Sequence, residues 1–250
     1  MSGHSKWATI KRKKGALDAK RGKIFTKWIK EITVAARNGG GDPAGNPRLR
    51  TAILGAKGVN MPADNIERAI KKGTGELEGT HYEEITYEGY GPGGIAILIE
   101  SLTDNRNRTT GEIRHLLTKS GGRMADAGAV QWMFQSKGVI GVPRSAADED
   151  TLLALVLDAG AEDVDTDDPE AYEITTPPQQ LEAVKAALAQ KGITTTSAEL
   201  AKVPQNVITL AEKDADQALK LMEALEDHDD VQRVSSNLDI NTEILAKLQS

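Results

Sequence analysis

The stretch that decides the fold is residues 138–200, GVIGVPRSAADEDTLLALVLDAGAEDVDTDDPEAYEITTPPQQLEAVKAALAQKGITTTSAEL. Short runs rich in Val, Ile, Tyr and Thr alternate with two amphipathic runs rich in Leu and Ala. The pattern predicts strands at 138–142, 163–167, 171–175 and 193–200, and helices at 148–159 and 178–191. This β-α-β-β-α-β order is that of a ferredoxin-like domain, closed between residues 138 and 203.

The flanking residues predict a second domain of the same type. Before the stretch, the pattern predicts strands at 82–88, 95–102 and 130–134 and a helix at 106–120. After it come a strand at 206–210, a helix at 214–226 and a strand at 231–238. Neither half can bury its sheet face alone, so we expect residues 95–135 and 206–238 to join into one unit. We therefore predict a discontinuous middle α/β domain of residues 76–137 and 204–250, with 138–203 inserted.

Residues 1–75 predict a separate helical head. An amphipathic helix covers about 18–38 and ends at Gly39-Gly40-Gly41, because glycine readily adopts the left-handed conformation that terminates helices. A second helix begins at Asn46-Pro47, and a third covers about 62–73. Residues 1–16 are polar and basic and are predicted to form a mobile tail. The predicted fold class is α+β: an N-terminal three-helix bundle plus two ferredoxin-like α/β domains, one inserted in the other.

The composition excludes several classes of protein. The chain has 250 residues, 39% of them hydrophobic and 27% charged, which is typical of a soluble globular protein. It has no cysteine, so disulfides, thiolate nucleophiles, zinc–thiolate sites and iron–sulfur clusters are impossible. No run of 18 apolar residues and no secretory signal occur, so we expect a cytoplasmic protein without a membrane partner.

The charge is divided unevenly along the chain. Residues 1–75 contain 17 Lys and Arg but only 5 Asp and Glu, a net charge of +12. Residues 76–250 contain 14 basic and 32 acidic residues, a net charge of −18. This asymmetry, hidden in an overall charge of −6, indicates a head that binds a polyanion, joined to acidic domains.

The first predicted helix has two faces. Its apolar face contains Ile24, Phe25, Trp28, Ile29, Ile32 and Ala35. The opposite face contains Lys20, Lys23, Lys27, Lys30 and Arg37. Such a dense cationic run is either a solvated face or a phosphate-binding surface, and its continuity with the basic tail favours phosphate binding. The candidate nucleic-acid-binding residues are Lys6, Trp7, Lys11, Arg12, Lys13, Lys14, Lys20, Arg21, Lys23, Lys27 and Lys30. Trp7 either stacks on an unpaired base or pins the tail to the bundle.

No motif predicts catalysis, a metal or a cofactor. The G-x-G-x-x-G match at 89–94 precedes a strand, whereas a dinucleotide site needs a helix there, so it predicts a turn. The acidic run 163–167 lacks the glycine and glutamate of a calcium loop. The polar run 103–108 is interpreted as a helix cap. The four histidines, His4, His81, His115 and His228, show no paired ligand spacing. His115 is predicted to pack half-buried in its helix. We predict that the protein is not an enzyme.

The sequence also contains a set of distinctive strings: Gly3-His4-Ser5-Lys6-Trp7 and the segments 18–25, 40–43, 60–62, 65–73, 87–94 and 132–134. Together these strings resemble the YebC/PmpR family. The resemblance covers essentially the whole chain. It implies three domains, a helical head and two α/β domains of which one interrupts the other. Family members are described as bacterial DNA-binding regulators of transcription, and relatives include a mitochondrial translational activator and ribosome-associated translation factors that help with proline runs.

One loop departs from the family pattern. This chain has Gly121-Gly122-Arg123-Met124-Ala125-Asp126, where members commonly have Gly-Gly-Asn-Leu-Gly. The resemblance therefore implies no role for this loop.

The functional prediction is a non-enzymatic, nucleic-acid-binding regulator of gene expression, without a cofactor and monomeric. DNA and ribosomal RNA are both polyanions, so charge does not choose between them. A mobile basic tail and the lack of a helix-turn-helix with a polar readout helix favour RNA. Two alternatives stay open: a ribosome-associated translation factor that binds ribosomal RNA, and a protein–protein adaptor whose basic head docks an acidic partner.

Overall fold

The computed structural model describes residues 19–240, and their side chains from residue 22 onward. Its helices are α1 (Ala19–Gly39), α2 (Pro47–Gly58), α3 (Ala63–Thr74), α4 (Arg106–Lys119), α5 (Glu149–Asp158), α6 (Leu181–Gln190) and α7 (Glu212–Glu226). Its strands are β1 (Glu83–Tyr90), β2 (Ala96–Thr103), β3 (Arg123–Ala125), β4 (Phe134–Pro143), β5 (Asp163–Asp165), β6 (Ala171–Thr176), β7 (Ser197–Pro204), β8 (Ile208–Thr209), β9 (Val231–Ser236) and β10 (Leu238–Asp239). Within these residues, no helix is long and apolar enough to cross a bilayer.

The helices α1, α2 and α3 form the head, as predicted. Their shared core includes Ile32, Leu49 and Ile66, with the Trp28 ring packed on the edge of it. The ring lies against Gly55 of α2, where an added Cβ would stand only 2.1 Å from it. Asn46 joins α1 to α2, because its side chain accepts from the Leu49 N–H and donates to the Ala35 carbonyl at 2.8 Å. Buried polar bonding of this kind fixes the angle between two helices.

The first sheet has the strand order β3-β1-β2-β9, so its last strand comes from the far end of the chain. β1 and β2 form an antiparallel hairpin in continuous register from Glu83↔Thr103 to Tyr90↔Ala96. α4 and α7 cover one face, where Ile97 and Ile99 of the sheet meet Ile113 and Leu221 of the helices. A loop ending at Phe134 covers part of the opposite face.

The second sheet has the strand order β5-β6-β4-β7, and every pairing in it is antiparallel. α5 and α6 lie on one face of it, and Ile140, Leu152, Ile174 and Leu188 are fully buried between helices and sheet. The chain order β4-α5-β5-β6-α6-β7 with this strand order is the ferredoxin-like arrangement. The predicted fold class, helices followed by α/β sheet units, is confirmed.

Several element predictions need correction. Residues 131–133 form a 3-10 turn and not a strand, and the strand predicted from Gly138 already begins at Phe134. β8 has two residues and pairs with β10 outside the first sheet. The tight turn at 91–94 folds β1 back beside β2, so β1 occupies the place next to β2 that a ferredoxin-like order of the joined unit would give to residues 206–210. The domain boundaries, 76–137 with 204–250 around 138–203, stay a prediction about which segments fold independently.

Candidate nucleic-acid interface

The predicted nucleic-acid-binding residues fall into three groups. Six of them lie outside the described residues: Lys6, Trp7, Lys11, Arg12, Lys13 and Lys14. Lys20 and Arg21 belong to the first turn of α1, for which the structure describes the backbone. The side chains of Lys23, Lys27 and Lys30 are described, and all three contact the same part of the middle sheet unit.

These three lysines bind the end of α7 and the turn that follows it. The Lys23 Nζ donates to the Asp227 carbonyl at 2.9 Å, and the Lys27 Nζ donates to the Glu226 carbonyl. The last carbonyls of a helix lack partners within it and carry the negative end of the helix dipole, so cations are stabilised there. The lysine face of α1 therefore docks the head onto α7.

This docking corrects the predicted exposure of the lysine face. Lys30 is only 6% exposed, Lys27 is half-buried and Lys23 is exposed. Lys30 donates to the Asp229 carbonyl at 2.9 Å and to the Asp230 carboxylate at 2.5 Å. The Lys30 ammonium would have to break these bonds before it could contact a phosphate.

Asp230 is the centre of the contact. One carboxylate oxygen binds Lys30, and the other accepts from Thr109 at 2.6 Å, Arg108 at 2.7 Å and Thr103 at 3.1 Å. Burial alone would raise the pKa of Asp230, but the hydrogen bonds from Lys30, Thr109 and Arg108 lower this pKa well below its usual range. Asp230 thus stays ionised and joins the head to both α4 and β2.

Sequence reasoning missed this network. The run 103–108 contains the predicted helix cap, because Asn105 caps α4 by accepting from the Arg108 N–H at 3.1 Å. Thr103 and Arg108 have the second function of binding Asp230. The sequence around Asp230, Asp227-His228-Asp229-Asp230, has the composition of a solvated turn, so no local signal distinguishes the one buried carboxylate.

A cleft of about 810 Å³ lies between the head and the middle sheet unit. His115 lines it and is exposed, which corrects the prediction of half-buried packing. Ligand-type atoms of Glu112, His228 and Asp230 lie within 4.8 Å of one another in the same cleft. The His228 Nδ1 accepts from the Asp230 N–H at 3.1 Å, and its Nε2 lies 2.9 Å from a Glu112 oxygen. Because these atoms bond one another beside Lys30 and Arg108, the group fits an ion-pair network better than a metal site.

The head has a second basic surface, on α2. Arg50, Leu54 and Lys57 are exposed at the i, i+4, i+7 positions of α2, with Leu54 59% exposed. α2 contains no acidic residue. The sequence signal for this surface is the spacing of 50, 54 and 57 in a helix without carboxylates.

Known protein families match nearly the whole length of this chain. The family described as TACO1/YebC protein N-terminal domain matches residues 5–76, and the one described as TACO1/YebC second and third domain matches residues 82–238. A protein of Chlorobaculum parvum named "Probable transcriptional regulatory protein" is 58% identical over 249 residues, which cover 100% of this chain and 99% of the relative. A Geobacter sulfurreducens protein of the same description is 58% identical over 248 residues, covering 99% and 100%.

A solved structure agrees with these sequence relatives. The crystal structure of a conserved hypothetical protein from Aquifex aeolicus has a TM-score of 0.82 and 49% sequence identity, and it covers 91% of this chain and 94% of that one. The matches extend from the head through both sheet units, and the relatives are named as regulators. The chain therefore belongs to the TACO1/YebC family.

Proposed function

We propose that the protein is a non-enzymatic regulator of gene expression that binds nucleic acid through its basic head. The observation that carries the proposal is the concentration of positive charge in the N-terminal part of the sequence, +12 over residues 1–75 against −18 over the rest. The names of the relatives support a regulator. Charge of this density is stabilised when phosphates neutralise it.

The described part of the head suggests how the surface is divided. Lys27 and Lys30 bind the end of α7 and the turn after it, so their ammonium groups stabilise the contact between the head and α7 and are not free to bind a ligand. The proposed phosphate contacts are the basic residues of positions 6–14, Lys20 and Arg21 at the start of α1, and Arg50 and Lys57 on α2. Such contacts position a protein on a polyanion without reading its sequence.

The α3 surface does not have the character of a recognition helix for the major groove of DNA. If α2, the short turn 59–62 and α3 formed a helix-turn-helix motif, α3 would be the recognition helix that enters the major groove. Its exposed residues include Asp64 and Glu67, and Glu67 forms an ion pair with Lys71 at 2.6 Å. Carboxylates on that face repel phosphates. A ribosome-associated translation factor that binds ribosomal RNA is therefore the second candidate function.

Fractionation of a cell lysate on a sucrose gradient tests the proposal. Travel with ribosomal subunits supports the RNA candidate, and travel with the nucleoid supports a DNA-binding regulator. A parallel pull-down with and without nuclease tests the adaptor alternative. Partners that stay bound after complete nuclease digestion, together with no binding of purified protein to nucleic acid, would contradict the proposal.

Variants of the head distinguish a loss of nucleic-acid binding from a loss of stability. Arg50→Ala with Lys57→Ala should weaken binding to any nucleic acid and leave the unfolding free energy within about 0.5 kcal/mol, because both side chains are on the surface. Lys202→Ala, which removes a surface cation of β7, is the matched control and should leave binding unchanged.

A further inference from the structure

The outer edge of β1 is paired over only part of its length. β1 pairs with β2 along all of its residues, whereas on the other side β3 meets only the last three. At the hairpin turn the Gly91 N–H donates to the Ile95 carbonyl, and alternate residues of a strand direct their backbone groups to opposite sides. The odd-numbered residues of β1 therefore bond to β2, and the N–H and C=O groups of Glu84 and Thr86 point outward. Within residues 19–240, no strand pairs with these outward groups.

A groove of about 460 Å³ lies along this unpaired edge. Residues 85–88 of β1 line one side of it, α4 lines the other, and β3 with the start of the following loop closes one end. Short side chains form the middle of the α4 wall, which consists of Asn107, Thr110 and Gly111. An extended chain in this groove would continue the sheet along the line of β3.

Two arginines of α4 give the groove its positive charge. Arg114 lies at the β3 end, where its guanidinium is 4.0 Å from the Met124 sulfur. Arg106 lies two helical turns earlier on the same face, about 12 Å along the axis. Both side chains are exposed. The ion pairs of α4 with carboxylates belong to Arg108 and His228, so within residues 22–240 the two groove arginines have no carboxylate partner.

The carboxylate of the groove already has partners. Among the described groove residues this carboxylate is Glu88, which is 3% exposed. Its oxygens accept the backbone N–H groups of Gly128 and Val130 at 2.6 Å and of Gln131 at 2.9 Å. Burial alone would raise the pKa of Glu88, but these N–H groups lower it below its usual value. The Glu88 oxygens are thus occupied by the loop after β3, and they leave the arginines available to another anion.

We propose that this groove binds an extended acidic peptide segment of a partner protein, which adds a strand to β1 and places carboxylates on Arg106 and Arg114. An extended chain advances about 3.3 Å per residue, so side chains at i and i+4 share a face about 13 Å apart and match the two arginines. Main-chain bonds to Glu84 and Thr86 would supply affinity, and the guanidinium groups would select acidic side chains. The site lies outside the head and does not depend on the proposed binding of nucleic acid.

The strand edge distinguishes a peptide from a nucleic acid. Phosphates could occupy the two arginines, but a nucleic acid has no row of N–H and C=O groups at the spacing of a β-ladder. A peptide in the extended conformation carries such a row along its whole length. The outward groups of β1 therefore favour a peptide as the occupant.

NMR titration of the isotopically labelled full-length protein with the peptide SGTVEVTVEVTGS tests the site, because its two glutamates are four positions apart. The amide signals of Glu84 and Thr86 should shift saturably, with a Kd below about 1 mM, and should exchange more slowly with solvent. The same peptide with glutamine at both glutamates should bind about tenfold more weakly, since neutral amides lose the charge-assisted bonds to the arginines.

Two kinds of variant test the strand edge and the arginines separately. Thr86→Pro should weaken peptide binding about tenfold or more, because proline lacks the outward N–H, whereas the bonds to β2 belong to other residues. Thr86→Val keeps that N–H and should bind within about twofold of the natural protein. Arg106→Gln with Arg114→Gln should weaken binding of the acidic peptide about tenfold and leave the glutamine peptide within about twofold. Arg68→Gln, at an exposed arginine of α3, is the control and should change neither.

Three results would overturn the proposal. One is the lack of saturable binding by the acidic peptide, or binding that neither Thr86→Pro nor the double arginine variant weakens. Another is a dimer in sedimentation equilibrium that Thr86→Pro dissociates, without peptide binding, which would assign the edge to a second copy of the chain. The last is binding of an oligouridine that the double arginine variant loses, again without peptide binding, which would assign the groove to nucleic acid.

Discussion

Lys30 and Asp230 form an ion pair that is almost completely removed from water, with an Nζ–Oδ1 distance of 2.5 Å. Separating two charges from water costs several kcal/mol, and the cost is offset only where further hydrogen bonds complete the pair. Here Thr103, Arg108 and Thr109 complete the Asp230 carboxylate, and the Asp229 carbonyl and the Leu102 carbonyl complete the ammonium. The pair links residues 200 positions apart and so fixes how the head sits on the rest of the chain.

Asp230→Asn should destabilise the protein by about 3–5 kcal/mol, because it leaves the Lys30 charge buried without its counter-charge. Unfolding in urea measures this change. Glu182→Gln is the control, since its partner Lys185 lies on the surface and the loss should be below about 1 kcal/mol. Equal losses in the two variants would show that Lys30 and Asp230 are not a buried pair.

The same residue predicts a pH dependence. The pKa of Asp230 is lower in the folded chain than the value of about 3.9 expected when unfolded, so the unfolded state binds more protons in that range. Its contribution is complete above about pH 5 and is lost as the pH falls below about 4. The difference in unfolding free energy between the natural protein and Asp230→Asn should therefore shrink between pH 5 and pH 3. A difference that stays constant over this range would contradict the lowered pKa.

At the scale of elements, α1 is a helix with two occupied faces. One face packs Trp28, Ile29 and Ile32 on α2 and α3, and the other places Lys23, Lys27 and Lys30 on the end of α7. Helical periodicity predicts both faces from the sequence. It cannot predict that the charged face meets protein, because the acceptors are mainly backbone carbonyls, which every sequence has. Burial of Lys30 follows from tertiary contacts alone.

Trp28→Ala should cost about 3 kcal/mol or more, because the removed ring leaves a cavity against Gly55 that α2 cannot fill. Leu54→Ala on the outer face of α2 should cost less than about 0.5 kcal/mol, since that side chain is already exposed. Differential scanning calorimetry of the two variants checks both values. A larger loss for Leu54→Ala than for Trp28→Ala would mean that the faces of the bundle are assigned the wrong way round.

At the scale of the whole molecule, residues far apart in the chain complete one sheet. β9 pairs with β2 from Ile97↔Ser236 to Ser101↔Val231, and α7 supplies Leu221 and Leu225 to the core under that sheet. The ends of the intervening unit lie side by side, because the Gln205 N–H donates to the Met133 carbonyl at 2.9 Å. Adjacent ends are what a domain insertion requires.

The fragment 133–205 should fold alone, and the fragment 76–132 should not, because the second lacks β9 and α7 and would expose an unpaired edge and an uncovered apolar face. Residues 76–132 joined to 206–250 through a short Gly/Ser linker should fold cooperatively. Amide dispersion in NMR spectra distinguishes the three cases. A well-dispersed spectrum for 76–132 alone, or a molten joined chain, would contradict the discontinuous domain.

The helices and most of the long strands were predictable from hydrophobic period and turn residues, and the ferredoxin-like unit was predicted with the right topology, whereas the short strands β3 and β10 were not predicted. The place of β1 in the first sheet was not predictable, because residues 83–90 and 206–210 have similar strand patterns and either could pair with β2. The hairpin of β1 and β2 has a short turn and a continuous eight-residue register, so this local pairing is favoured over a long-range one. At the candidate site, charge predicted a basic head. The Asp230 network and the Glu88 loop contact depend on pairings across 40 residues or more, which no local pattern encodes.

The central claim is that the head binds nucleic acid through phosphates, and the salt dependence of binding tests it most directly. Anisotropy of a fluorescein-labelled 20-base-pair DNA duplex between 50 and 300 mM salt gives the slope of log K against log salt. About six phosphate contacts predict a slope near −5, and a shallower one on a single strand. Converting Lys11, Arg12, Lys13 and Lys14 to Ala should bring the duplex slope to about −2 for every sequence tested. A slope near zero for the natural protein would contradict the account.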